Sequence, residues 1–229
     1  MGITIFYRGR LRNLAELPQL TAELQAACAR LGWPCHPVDE RILGTAERYN
    51  IVPVECDDGI PTDTFEVYEV PVDDHVRGVV IHPPDCETLF LTFGRTGQTV
   101  RYEDVPFGES VPGHYGMILD HLWCKTQFSS PETHVHVCEL LRIAGKYAAE
   151  WEVLDEGNYW QSGVFQELQA TWARYQAIFR ALSDPKVMQE TLKSAGVDLE
   201  EADSIEVGRT IPRVAPPWRE EWGISAGEN

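Results

Sequence analysis

The stretch THVHVCE, residues 133–139, places two histidines, a cysteine and a glutamate close together. These side chains are ligands for zinc and other transition metals. Whether they could act together depends on the element that carries them. On a strand, His134, His136 and Cys138 would share one face. On a helix, residues two apart point roughly 200° from one another, so the two histidines diverge while His134 and Cys138 stay adjacent. The flanking residues favour the helix. Ser130 is an N-cap, Pro131 suits the first helical position, and Val137, Leu140, Leu141, Ala144, Tyr147 and Ala148 recur at helical spacing. Two ligands without a third make no site, so we expect no metal and no cofactor.

A second candidate lies on HLWCKTQF, residues 121–128. Strand alternation puts His121, Trp123, Lys125 and Gln127 on one side, with Leu122, Cys124, Thr126 and Phe128 on the other. The segment EWEVLDEGNYW, residues 150–160, reads as another strand ending in a turn. If the two strands are neighbours, Lys125 meets Glu156 beside an aromatic-lined pocket. The candidate ligand-binding set is then Trp123, Lys125, Gln127, Glu156, Tyr159 and Trp160. Such a set could hold a small polar ligand or do acid–base work. It could equally be a structural lysine–carboxylate pair, whose loss would cost roughly 3–5 kcal/mol. No dinucleotide fingerprint, phosphate loop, nucleophile elbow or HExxH motif occurs. GRTGQT, residues 94–99, reads as a hairpin turn, and DDGIPTD lacks the spacing of a calcium loop.

The elements that would position these residues follow from periodicity. ITIFYRG, residues 3–9, is a first strand, and Leu17, Leu20, Leu24, Ala27, Cys28 and Leu31 form a helical stripe stopped by Gly32. CHPVDERI is a second, less regular strand. Residues 44–75 give no clear pattern beyond a turn at CDDGIPTD and a strand at TFEVYEV. VRGVVIH and TLFLTFG read as a hairpin joined by PPDCE, and MILDHLWCKTQF as one long strand. Phe165, Leu168, Trp172, Tyr175, Phe179 and Leu182 mark a helix with a broad apolar face, suited to packing on the sheet or to a dimer seam. SDPKVMQETLKSAG is a short further helix. The tail is proline-rich, and Trp218 and Trp222 would anchor it on the body or on a neighbouring subunit.

The layout strand, helix, strand occurs twice, and the second strands end in Val-Asp-Glu (38–40) and Leu-Asp-Glu (154–156). The expected class is α+β, with a mixed or antiparallel sheet, helices on one face and C-terminal helices beyond two related β-α-β halves. We expect a single domain over 1–229, divisible into halves 1–112 and 113–196 and a docked tail 197–229. The start YRGRL and the run KTQFSSPETHVHVCELLRIAGKYA…WEVLDEGNYWQSG resemble a group of bacterial hypothetical proteins with a Lys-Thr-Gln strand, a helix and an Asp-Glu-Gly-x-Tyr-Trp turn. The resemblance implies an architecture and no activity.

Charge narrows the partners. The 229 residues carry a formal charge of -17, which repels phosphate backbones and anionic membranes, so we expect no nucleic acid and no membrane. No apolar run is long enough to span a bilayer, and the N-terminus has no secretory pattern. The six cysteines show no C-x-x-C spacing and read as reduced thiols, so a cytoplasmic location is expected. The functional expectation is a binding protein whose acidic surface meets a basic protein partner, or a second copy as a homodimer. The alternatives are a small-molecule-binding protein or enzyme built on Lys125, Gln127 and Glu156, and an acidic neutralising partner of a basic toxin.

Overall fold

The computed structural model describes residues 3–55, 61–103, 113–183 and 186–187. The chain forms two compact units, 1–168 and 169–229. Among the described residues of the first, eight strands and two long helices give an α+β fold. The strands divide into two sheets. Strand β1 (Thr4–Leu11) is central to a three-stranded antiparallel sheet, flanked by β7 (Leu122–Lys125) and β8 (Ala148–Asp155). The other sheet has the order β4-β3-β2-β6-β5. It comprises β2 (Cys35–Glu55), β3 (Pro61–Ile81), β4 (Leu89–Phe93), β5 (Arg101–Tyr102) and β6 (His114–Leu119). Only its β2–β6 pairing is parallel, so that sheet is mixed.

One apolar core joins the sheets. Ile5 and Tyr7 from β1, Val79 and Ile81 from β3, and Leu89, Leu91 and Phe93 from β4 are all fully buried in it. Leu20 and Leu24 of α1 (Leu17–Leu31) and Val137, Leu140 and Leu141 of α2 (Pro131–Gly145) complete it. The helices form where local signals put them. Pro18 is confined to the first turn of α1, and Gly32 ends it with φ 70°. The Ser130 hydroxyl accepts from the Thr133 N–H at 3.2 Å, as an N-cap does. Polar bonds stitch the sheets as well. Leu11 N–H donates to Gly97 O, Thr99 N–H to Gly9 O, and the buried Tyr7 hydroxyl to Phe90 O at 2.7 Å. Burial pushes that phenol well above its ordinary pKa, so it stays a donor.

Three sequence expectations change in detail. The long strand expected over 117–128 is two strands in different sheets. The chain leaves β6 and enters β7 at Asp120 and His121, where it passes from one sheet to the other. The two strand–helix–strand segments are also not equivalent. Strands β1 and β2 belong to separate sheets, whereas β7 and β8 share one with β1 between them. Of the unparsed residues, 44–55 and 61–75 lie on β2 and β3, 21-residue antiparallel strands in unbroken register from Cys35↔Ile81 to Glu55↔Pro61. The hairpin VRGVVIH–TLFLTFG and the turn at 94–99 form as expected, with Gly94 N–H donating to Gln98 O.

Helix α4 (Phe165–Ser183) follows the one-turn α3 (Tyr159–Ser162), and Leu168 and Trp172 on it are buried. Residues 56–60 of the expected CDDGIPTD turn, the link at 104–112, most of the helix expected at 183–196, and the tail at 197–229 lie outside the described residues.

Candidate functional site

The polar strand has the expected alternation over 121–127, but Phe128, expected on the buried side, lies beyond the strand and is 73% exposed. Leu122, Cys124 and Thr126 are buried, while His121, Trp123, Lys125 and Gln127 are partly exposed. The predicted set is nevertheless not assembled. Strand β1 lies between β7 and β8, with Thr4 opposite Lys125 on one side and bonded to Glu156 on the other. Two strand spacings, about 10 Å, therefore separate the Lys125 and Glu156 backbones. The exposed Glu156 instead bends back, its Oε2 accepting from the Thr4 N–H at 2.8 Å. No ion pair joins Lys125 and Glu156 among the described residues. Trp123 lies opposite Phe6, and the Gln127 Oε1 is buried without a hydrogen-bond partner. Tyr159 and Trp160 gather around Arg142 of α2, whose guanidinium lies 5.5 and 5.0 Å from their ring centroids and donates to Trp160 O. Lys125→Met should therefore change the melting temperature by no more than about 2–4 °C, the shift of a 1 kcal/mol effect in a chain this size. Thermal melting followed by circular dichroism checks this, and a fall several times larger would restore the buried pair.

What the structure does assemble is a buried network around His134. Its Nε2 donates to Asp155, 3.0 and 3.1 Å from the two carboxylate oxygens. The Thr126 hydroxyl lies 2.8 Å from Nδ1 and 3.2 Å from Ile3 O. Asp155 also accepts from Gly157 N–H at 2.7 Å and Trp160 N–H at 2.8 Å. His134, Thr126 and Asp155 are all buried. Cys138 brings its sulfur into the same cluster, so that potential ligand atoms of His134, Cys138 and Asp155 lie within 4.8 Å of one another. Asp155 is thus the third group that the sequence reading lacked. It supplies hydrogen-bond acceptors that fasten β8, α2 and the turn into α3. Burial, followed by the Asp155 charge, pushes the Cys138 thiol far up, so it remains protonated in this setting. The signal that could have found Asp155 is the Asp-x-Gly turn after the strand, because aspartate in that place accepts the N–H two residues on.

A second polar constellation faces solvent. Arg8, Gly9 and Arg10 of β1, Gln98 and Thr99, Asp120 and His121, and residues 150–152 of β8 line a cleft of about 220 Å³. His121 Nδ1 donates to Asp120 Oδ1 at 2.7 Å, leaving Nε2 to accept from Arg8 Nη1 at 2.6 Å. Arg8 also pairs with Glu152, and Arg10 with Glu150, each at 2.6 Å. The hydrogen bond from His121 holds the Asp120 carboxyl below its usual pKa. Close approach of Trp151 to Gly9 shapes the cleft floor, since a Cβ there would stand 2.3 Å from the indole. Of this group, only His121 was on the expected polar face.

The third feature is the β2–β3 hairpin. Strand β3 meets β4 only over Arg77–Ile81, and β2 meets β6 only over Thr45–Glu47. Beyond those points the two strands pair only with each other among the described residues. Near its base the even-numbered face packs Ile42 and Val76 with Val100 in a small second core. Leu43, beside Ile42 but on the opposite face, is 70% exposed, and farther out Val67 and Tyr68 are 51% and 48% exposed. The register puts Leu43 and Val67 on one face and Tyr68 on the other.

No family model, curated protein or solved structure matches this chain. No helix among the described residues is long and apolar enough to cross a membrane.

Proposed function

We propose that the protein is a binding protein that engages a basic protein partner through the outer part of the β2–β3 hairpin. The observation that supports this most is the pair of edges beyond Glu47 and Arg77 that are open among the described residues, with Val67 and Tyr68 exposed along them. Open edges accept an added strand through their free N–H and C=O groups, and alternate side chains then read the guest. Charge selects that guest. The two hairpin strands carry nine acidic residues and three arginines, within a chain of net charge -17. A basic segment is steered toward such a surface, whereas a second copy, a nucleic acid or an anionic membrane is repelled. Neutralisation of a basic toxin is one case of this chemistry. The five described cysteines are free thiols, which supports a reducing compartment such as the cytoplasm.

A photo-crosslinking residue in place of Tyr68 tests the proposal in the native host. The expected result is a covalent adduct with a protein of basic isoelectric point, absent when the crosslinker replaces the exposed Arg30 on α1. Adducts only between copies of this chain, or none from position 68, would contradict it.

A second reading is favoured by the hydrogen-bonded chain Asp120–His121–Arg8–Glu152 at the solvent-facing cleft. Its alternating charges suit a small polar ligand, and it takes the place of the Lys125, Gln127 and Glu156 pocket expected from sequence.

A further inference from the structure

The base of the β2–β3 hairpin gathers arginines in a chain whose net charge is -17. The register sets Asp39 opposite Arg77, Arg41 opposite His75 and Leu43 opposite Asp73, so these side chains share one face. It is the face away from Ile42 and Val76, which pack into the second core. Arg95, in the turn after β4, joins them. Arg41, Arg77, Arg95, His75, Asp73 and Asp74 line a cleft of about 320 Å³, a volume that suits a small organic ligand.

The carboxylates at this place are already engaged. Asp74 Oδ1 accepts from the His75 N–H at 2.7 Å and the Arg95 N–H at 2.6 Å, and its Oδ2 accepts from the Tyr102 hydroxyl at 3.0 Å. Asp73 pairs with the Arg95 guanidinium at 3.1 Å. Asp39 bonds to His75 Nε2 at 2.5 Å rather than to Arg77, its partner across the ladder. Arg41 and Arg77 consequently make no ion pair among the described residues. Arg77 Nε is in addition buried without a hydrogen-bond partner, a state that costs free energy until an acceptor arrives. Two guanidinium groups at the cleft thus carry donors that the described chain leaves unused.

We propose that this cleft binds a small organic phosphate monoester, its phosphoryl oxygens held by Arg41 and Arg77 and its charge shared with Arg95. The planar guanidinium fork takes phosphate oxygens two at a time. A dianion with three terminal oxygens engages more than one such fork, whereas a single carboxylate is satisfied by one. Arg95 is able to contribute because its pair with Asp73 is exposed on both sides, and exposed pairs hold weakly. The net charge of the chain does not forbid this ligand. At physiological salt, exposed charges are screened beyond about 8 Å. A small dianion in the cleft therefore meets three guanidinium groups against two engaged carboxylates, while a polyanion would lie across the acidic surface as well. The site is at the hairpin base and does not depend on a protein partner at its outer part.

Isothermal titration calorimetry of the full-length protein at fixed ionic strength tests the assignment, with phenyl phosphate and inorganic phosphate as probes. The expected result is saturable one-to-one binding of phenyl phosphate. Its dissociation constant should rise at least about tenfold in Arg41→Gln, and again in Arg77→Lys, which keeps the charge and loses the fork. Arg30→Gln, on the exposed side of α1, should bind as the wild type does. If Arg77→Lys does not fold, the exposed Arg41→Gln still decides. Inorganic phosphate separates the two sources of the anion: binding tighter than that of phenyl phosphate would overturn the monoester. No saturable binding of either probe, a constant unmoved by Arg41→Gln, or one raised equally by Arg30→Gln would overturn the site.

Discussion

Asp155→Ala should lower the free energy of unfolding by about 3–5 kcal/mol, the cost of removing one partner of a buried ionisable pair. The carboxylate accepts from His134, Gly157 and Trp160, so its loss leaves three donors without that partner in a place from which water is excluded. Urea unfolding followed by tryptophan fluorescence reads the change. His134→Ala should also destabilise the fold. The double substitution should cost less than the sum of the two, with a coupling of about 0.5–3 kcal/mol. Additive losses, or an Asp155→Ala effect below about 1 kcal/mol, would mean that the network does not fasten β8 to α2.

Gly78→Ala should be comparably damaging, for a reason that involves no polar group. Gly78 sits in β3 at φ 144°, opposite Val38 on one side and Thr92 on the other. A Cβ built there lies 2.1 Å from Leu91 O and 2.9 Å from the Thr92 Cα. Both contacts are backbone, in a strand that forms part of the core, so neither can move without breaking the β3–β4 ladder. Backbone strain of about 1–3 kcal/mol and overpacking of about 1–3 kcal/mol give an expected loss of roughly 2–6 kcal/mol. Gly32→Ala isolates the first part, because Gly32 has φ 70° and open space around its would-be Cβ. Its cost should be about 1–2 kcal/mol. Equal losses at the two positions, measured by the same urea titration, would show that the contact with Leu91 O can be relieved.

The parts of this fold that were legible in the sequence are those specified locally. Helix α2 declares itself through Ser130, Pro131 and a stripe from Val137 to Ala144, all within one stretch of chain. The same holds for α1 with its Gly32 stop, and for the hairpin around PPDCE. Strand order is a different kind of information. The Thr4–Glu156 hydrogen bond joins residues 152 apart, and nothing near either residue announces that β1 will separate β7 from β8. The Lys125–Glu156 pocket was lost for that reason. The long hairpin was illegible for another. Val67 and Tyr68, on opposite faces, are both exposed, so the alternation that marks a half-buried strand fades, and Pro37, Gly44 and Pro53 interrupt what remains. His121 and Arg8 meet only because the chain changes sheets at Asp120. No periodicity encodes that step.

Titration of the crosslinked partner, once purified, against the wild-type protein and a Val67→Ser/Tyr68→Ser variant tests the binding proposal most directly. Both substituted side chains are exposed, so the variant should keep the wild-type melting temperature. The proposal predicts a dissociation constant at least about tenfold higher for the variant, the equivalent of about 1.4 kcal/mol. It also predicts that wild-type affinity falls as salt screens the acidic hairpin. An unchanged constant for the hairpin variant, with binding abolished instead by Arg8→Ala in the cleft, would contradict it.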